Sequence, residues 1–264
     1  MNKIIILIFF LINTLWANIG TNEDLKVLKE LGLESSFLSD SEVINIYNEY
    51  SSKNKINYYR NVLKKSSLNA QIVRTEIENE NLHEATFFIP MIESSFVNQT
   101  RGKNSPGGLW QIIPDTAKHL KLRNDEFIDE RLDLIKSTDA ASSYLKRYYK
   151  KFDNKWYLSI LAYNCGEGRV IEAITRASLD RYLELNPNRT SGILRSFQRT
   201  LDDYKRTKRG ISDLYTIYGE LQGMEIPFDF EYLIKNNKQK QYLPESTLSY
   251  IKKIIIFSIL SNRN

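Results

Sequence analysis

Apolar side chains recur along most of this chain at the three- and four-residue spacing of a helix that faces a core. Between Ser137 and Phe152 the positions Ala141, Tyr144, Leu145, Tyr148, Tyr149 and Phe152 fall at i, i+3, i+4, i+7, i+8 and i+11, a full helical stripe. Ser137 stands where the N-cap of that helix is expected. Upstream, Ser39-Asp40-Ser41-Glu42 precedes Val43, Ile44 and Tyr47 and reads as a helix start. Downstream, Ile193, Leu194, Phe197, Leu201 and Tyr204 mark a further amphipathic helix. No convincing run of alternating strands is joined by Asn-Gly or Asp-Gly turns, which argues against an all-β fold. The pattern predicts a mainly α protein.

Glycine and proline interrupt the pattern at few places. Gly102 to Gly108, with Pro106 between, reads as a polar loop, and Gly166 and Gly168 bracket a turn between two helical runs. Pro187 to Gly192 and Gly210 mark later breaks. The first residues follow another pattern. Met1-Asn2-Lys3 is a short positive start, Ile4 to Leu15 is almost purely apolar but too short for a spanning helix, and Ala17 offers a small residue for cleavage. Residues 1–17 are therefore expected to be a signal peptide, the alternative being a buried N-terminal helix or an uncleaved anchor. No cysteine lies near that boundary, so the exported, periplasmic product is not expected to be a lipoprotein. Ile251 to Leu260 is too short and too interrupted by Lys252 and Lys253 to span a membrane, so no transmembrane segment is expected after cleavage.

Composition narrows the chemistry. The 264 residues suit one ordinary domain with elaboration. One cysteine, Cys165, closes no internal disulfide, and with His83 and His119 scattered along the chain it builds no zinc site of ordinary spacing. No metal or cofactor is expected. A formal charge of +5, without a compact basic motif, gives no reason to expect nucleic-acid binding. That charge is local: Thr175 to Gly210 holds nine basic residues against four acidic ones.

Among candidate reactive groups, the two histidines form no evident triad and are read as surface or packing residues, and Cys165 as a small buried apolar side chain. Glu93 differs. It ends the apolar run Ala85-Thr86-Phe87-Phe88-Ile89-Pro90-Met91-Ile92 and precedes Ser94-Ser95-Phe96. A carboxyl between core-forming neighbours is desolvated, which raises its pKa and suits it to general-acid cleavage of a glycosidic bond.

Ile92-Glu93-Ser94, then Gly108-Leu109-Trp110-Gln111-Ile112 with Pro114 and Thr116-Ala117, then Ala162-Tyr163-Asn164-Cys165-Gly166-Glu167-Gly168-Arg169-Val170 with Ala173-Ile174, resemble the family 1 lytic transglycosylases. Asp129-Glu130-Arg131-Leu132-Asp133 through Ala140-Ala141, and Phe152 to Trp156, resemble one subfamily of that group. The resemblance implies a goose-type lysozyme-like α domain with a groove for peptidoglycan glycan strands. It further implies non-hydrolytic cleavage of the β-1,4 bond between N-acetylmuramic acid and N-acetylglucosamine, leaving a 1,6-anhydro end. Glu93 matches the catalytic acid, Gln111 a groove residue, Tyr163 the tyrosine beside the acid, and Asn164 belongs to the same turn. Ser94 either caps a helix end or hydrogen-bonds near the acid. Leu109 and Trp110 suit either a core or a sugar face.

The match departs from the family at defined places. The family usually carries a serine nine residues after the acid, where this chain has Gly102, so any contact made by that hydroxyl is lost or shifts to Ser105. The late motif appears as Leu243-Pro244-Glu245-Ser246, with the acid displaced by one and Glu245 left as the candidate supporting residue. The segment at about 177–225 is longer than usual and is expected to form helices with a cationic outer face, either simply solvated or contacting stem-peptide carboxylates or an acidic partner. The expected organisation is a leader at 1–17, an N-terminal helical segment at 18–70, and a catalytic domain at 71–264 carrying that insertion. Competing readings are a muramidase of the same fold, which adds water, and a catalytically weak glycan-binding scaffold.

Overall fold

A computed structural model describes residues 19–188, 191–224 and 228–263; the expected leader lies outside the described residues. Thirteen α-helices follow one another among them, with short 3-10 turns and a few isolated β-bridges, so the mainly helical fold expected from the periodicity is borne out. The chain divides into two compact units, Met1–Ser159 with Lys252–Asn264, and Ile160–Ile251.

In the first unit, helices start where short polar side chains satisfy the exposed first amides. α1 (Asn22–Leu31) has a complete capping box between Thr21 and Asp24 and stops at Gly32, whose φ of 90° is left-handed. α2 (Ser41–Tyr50) begins as predicted, with Asp40 accepting from the Glu42 and Val43 amides at 3.0 Å. α3 (Lys53–Lys65), α4 (Ser67–Asn79), α5 (Phe88–Ser94) and α6 (Pro114–His119) follow. α7 (Leu134–Lys151) starts a turn earlier than expected. Asp133 supplies its cap, while Ser137 is buried inside the helix and donates to the Asp133 carbonyl at 2.6 Å. Aspartate and serine cap about equally well, so the first one reached ends the search. α8 (Trp156–Cys165) begins in this unit and ends in the second.

The last helix, α13 (Glu245–Ser261), supplies much of this unit's core. The Phe257 ring lies 5.0 Å from Tyr50, 4.7 Å from Tyr59 and 5.6 Å from Phe88, so one side chain joins α2, α3 and α5. Aromatic clusters of this kind contribute area burial plus about 0.5–1.5 kcal/mol per well-oriented pair. Lys252 is only 2% exposed and pairs with Asp40 at 3.0 Å and Glu42 at 2.6 Å. Arg263 donates to the buried Asp24 and to the Tyr47 hydroxyl at 2.6 Å. Burial pushes the Asp24 carboxyl upward, but Arg263 and the Gly20 and Thr21 amides outweigh it and hold the group below its ordinary value. Ile251 to Leu260 is thus a core helix. No helix among the described residues is long and apolar enough to cross a membrane.

The second unit holds α9 (Glu167–Leu185), α10 (Gly192–Thr207), α11 (Ile211–Gly223) and α12 (Phe230–Lys240), with α9 packed against the other three. α10 buries Leu194, Phe197, Leu201 and Tyr204. Ile193, assigned to that stripe by spacing, lies in the first turn of the helix and is 47% exposed. The breaks expected at Gly166, Pro187 to Gly192 and Gly210 all separate helices.

Candidate active site

The carboxylate singled out by sequence sits at the end of a very short helix. α5 runs for seven residues and ends because Ser95 and Phe96 both take left-handed φ values, 54° and 56°. Neither residue type favours that region, and each such conformer costs on the order of 1–3 kcal/mol unless its surroundings over-determine it. Here they do. The Ser95 amide donates to Met91 O at 3.1 Å and the Phe96 amide to Pro90 O at 3.2 Å. From outside the helix, Ser66 Oγ donates to Ser95 O at 3.2 Å and Asn69 Nδ2 to Phe96 O at 2.9 Å. The Phe96 ring is fully buried, 5.0 Å from Phe87. Glu93 is half-buried in the last turn of this pinned helix.

Ser94 ties that turn to the next segment. Its hydroxyl lies 3.0 Å from Pro90 O and 2.8 Å from Leu109 O, so the side chain braces backbone beside the acid. Leu109 and Trp110 are both fully buried, and Trp110 Nε1 donates to Thr138 Oγ1 at 3.0 Å, which makes them core. Gly107 and Ile112 exchange backbone hydrogen bonds of 3.1 and 2.9 Å and close a tight loop around Gln111, whose φ is 47°. Gln111 Nε2 donates to Gly108 O at 2.7 Å and lies 3.4 Å from Gln99 O. Both of these neighbours are acceptors, which fixes the amide nitrogen inward and leaves the carbonyl oxygen as the free end.

Arg131 holds this loop, and no role was read for it from sequence. Fully buried, it donates to Ser105 O at 2.5 Å, Ile112 O at 3.1 Å and Lys103 O at 3.2 Å, and forks onto Asp129 at 2.8 and 2.7 Å. Those bonds hold the Asp129 carboxyl below its ordinary value, with burial opposing them. The loop can approach only because of its glycines: a Cβ on Gly107 would meet the guanidinium at 3.1 Å, and one on Gly108 would overlap Arg131 O at 1.8 Å. A Gly-Gly pair facing an Asp-x-Arg turn was the available signal. Ser105 is half-buried and offers its carbonyl to Arg131. Gly102 has φ 144°, a region that side-chain-bearing residues avoid, so a serine there would be strained in this loop.

The remaining predicted residues belong to the second unit. Tyr163 is half-buried and Asn164 exposed in the last turn of α8. Gly166, with φ 89°, turns the chain into α9. Glu167 accepts from the Tyr215 hydroxyl at 2.9 Å. Burial pushes the Cys165 thiol up to about 12, against the opposing Arg169 charge and a Thr247 hydrogen bond, so it stays protonated and is no nucleophile at neutral pH. Glu245 opens α13 and accepts from Asn237 Nδ2 at 2.9 Å, while Asn237 also clamps both backbone groups of Leu243 at 2.9 Å.

Within the first unit, a short helix ends in a half-buried carboxylate and Ser94 ties it to a braced loop. Residues 71–183 match the family model described as "Transglycosylase SLT domain". The chain is 39% identical over 100 residues to membrane-bound lytic murein transglycosylase D of Escherichia coli (strain K12), covering 38% of this chain and 22% of that protein. It is 41% identical over 101 residues to a protein of Alteromonas sp. (strain M-1) named for tributyltin chloride resistance, covering 38% and 49%. It is 32% identical over 169 residues to peptidoglycan transglycosylase gp16 of Escherichia phage T7, covering 61% and 12%. The stretch that matches the family model is under half of the chain and contains the Glu93, Gln111 and Tyr163 motifs that resemble the family 1 lytic transglycosylases. The chain spans at most about half the length of the curated relatives it matches.

Proposed function

We propose that this protein is an exported peptidoglycan lytic transglycosylase, with residues 1–17 as its leader, residues 18–70 as a helical segment ahead of the catalytic domain, and Glu93 as the catalytic residue. The observation that carries the reading is the half-buried Glu93 at a helix end over-determined by hydrogen bonds from Ser66, Asn69 and Ser94. A group so held has little freedom to lose when it reaches the reacting atoms. In the reaction, Glu93 gives its proton to the oxygen linking N-acetylmuramic acid to N-acetylglucosamine as that bond breaks. The positive charge at C1 is met by the sugar's own N-acetyl group. Glu93, now a carboxylate, takes the proton from the muramoyl C6 hydroxyl, whose oxygen closes on C1 to give the 1,6-anhydro ring. One carboxyl serves both steps, unlike the paired carboxylates of common glycosidases.

Gln111, with its carbonyl oxygen free, accepts from a sugar hydroxyl or amide. Tyr163 and Asn164 contact substrate, Ser94 and Ser105 support the loop beside it, and Glu245 supports the start of α13. The test is digestion of purified sacculi with mass spectrometry of the products, wild type beside Glu93→Gln. The expected products are one water lighter than those of hydrolysis, and the variant is slowed by about 10²–10⁴-fold. Products with water added indicate a muramidase, absence of digestion by the wild type a glycan-binding scaffold, and equal digestion by both proteins removes Glu93 from the role of acid.

A further inference from the structure

Within the second unit, a cavity of about 260 Å³ is lined by Cys165, Gly166, Gly168, Arg169, Tyr204 and Lys208. Four of these belong to the turn from α8 into α9. The other two come from α10 and its C-cap, in the segment with the basic excess. The two parts are fitted to each other: a Cβ on Gly168 would stand 2.2 Å from the Tyr204 hydroxyl, so only glycine lets that phenol reach the turn. Above Gly166 nothing lies within 4 Å of a built Cβ. Lys208 takes a left-handed φ of 56°, which a lysine rarely adopts, and this sets its Nζ 5.3 Å over the Tyr204 ring and 2.9 Å from Glu172. Glu172 is also bonded by Arg176 at 3.3 Å, so two cations share that one carboxylate, and Lys208 keeps donors to offer. Arg169 is exposed and makes no ion pair or side-chain hydrogen bond among the described residues. The protonated Cys165 thiol adds no negative charge, and the N-cap of α9, a glycine, has no side chain to cover the helix's first amides.

We propose that this cavity is a carboxylate site that takes an acidic group of a peptidoglycan stem peptide, with Arg169 and Lys208 as its cations and the Tyr204 hydroxyl as a further donor. The proposal rests on the reading of the chain as a peptidoglycan enzyme. Stem peptides leave the glycan from the lactyl group of N-acetylmuramic acid and carry free carboxylates within their first residues. The cavity begins immediately after Tyr163 and Asn164, the residues expected at the glycan. Its volume is below that of most small-molecule sites and suits one amino-acid residue better than a sugar.

The test is a titration of the full-length mature protein, followed through the Gly166 and Gly168 amide resonances. The probes are a synthetic alanyl-glutamyl stem peptide with free carboxylates, the same peptide amidated, and inorganic phosphate. The free acid is expected to shift both amides and to bind about tenfold more tightly than the amide, the worth of one charge-assisted hydrogen bond. Arg169→Gln and Lys208→Gln, with unchanged melting temperatures, are each expected to lower that affinity severalfold. Equal binding of the amidated peptide, phosphate binding as tight as the free acid, or no shift at Gly166 and Gly168 overturns the site. Sacculus digestion without any peptide-dependent shift removes this site and leaves the catalytic reading standing. Peptide binding without digestion does the reverse.

Discussion

The loop around Gln111 and the α9–α11 packing are built on different physics. The first is irregular backbone, fixed by polar side chains that reach carbonyls far away in sequence: Arg131 to Lys103, Ser105 and Ile112, Ser94 to Leu109, and Asn98 Nδ2 to Leu132 at 2.7 Å. The second is regular helix, held by apolar stripes such as Leu194, Phe197 and Leu201 on α10 and Leu214, Ile217 and Leu221 on α11. Apolar burial is roughly proportional to area and does not depend on direction, so a stripe tolerates small shifts. Hydrogen bonds weaken steeply with angle and distance, so a loop held by them has one geometry or none. The loop that Ser94 ties to the Glu93 turn is the part built to hold one geometry.

The sharpest way to break this contrast is Arg131→Met. It strips the donors from three carbonyls and leaves Asp129 without its cation, and the expected loss is about 3–5 kcal/mol. Arg131→Lys should recover only part, because an ammonium cannot reproduce the fork. Chemical unfolding measures the loss, and hydrogen exchange should show it first at the Gly107, Gly108 and Ile112 amides; a variant as stable as wild type would mean the loop is held by something else. Leu201→Ala, in the stripe of α10, is expected to cost about 3 kcal/mol through the cavity it leaves. Faster exchange should then be confined to the helices that bury Leu201. Exchange raised equally at Gly107 would show that the two regions do not behave separately.

The smallest expected effect is a pH slope at the entrance to α5. His83 Nδ1 accepts from the Ala85 amide at 3.0 Å and so caps the 3-10 turn that precedes the helix, a bond that requires an unprotonated Nδ1. Burial pushes the His83 pKa down, outweighing the Glu30 and Glu84 carboxylates that act to raise it. The folded value is therefore below the unfolded one of about 6.5. The stabilisation is complete above that pH and is lost as pH falls toward the folded value. Melting temperatures at pH 8 and pH 5.5 should diverge more for wild type than for His83→Asn, whose side-chain oxygen can cap without titrating. Identical pH dependence would show that His83 does not titrate with folding.

Helices were the most legible part of the sequence because their signals are local. The Asp40 cap and the six-residue stripe from Ala141 to Phe152 needed only the spacing of nearby residues, and the structure buries Ala141, Leu145, Tyr148 and Phe152 while leaving Tyr144 and Tyr149 half-buried. The errors were local as well: Ser137 lost the cap to Asp133, and Ile193 lies outside the buried stripe. Glu93 stood out because a carboxyl among core-forming residues is conspicuous, and the SLT domain match at 71–183 agrees with the motifs read around it. Arg131 escaped notice since the loop groups it holds are 19 to 28 residues away and are backbone carbonyls, which carry no residue identity.

Sequence by itself determined that this chain is helical, where most of its helices begin and break, and which family its motifs resemble. All of these follow from residue types a few positions apart. Only the tertiary structure decided how the ends of α5 and the Gln111 loop are held, that Trp110 belongs to the core, and that Tyr204 and Lys208 meet the Gly166 turn. Those facts depend on directed contacts between remote segments, and in such contacts one partner is often backbone, which every sequence has alike.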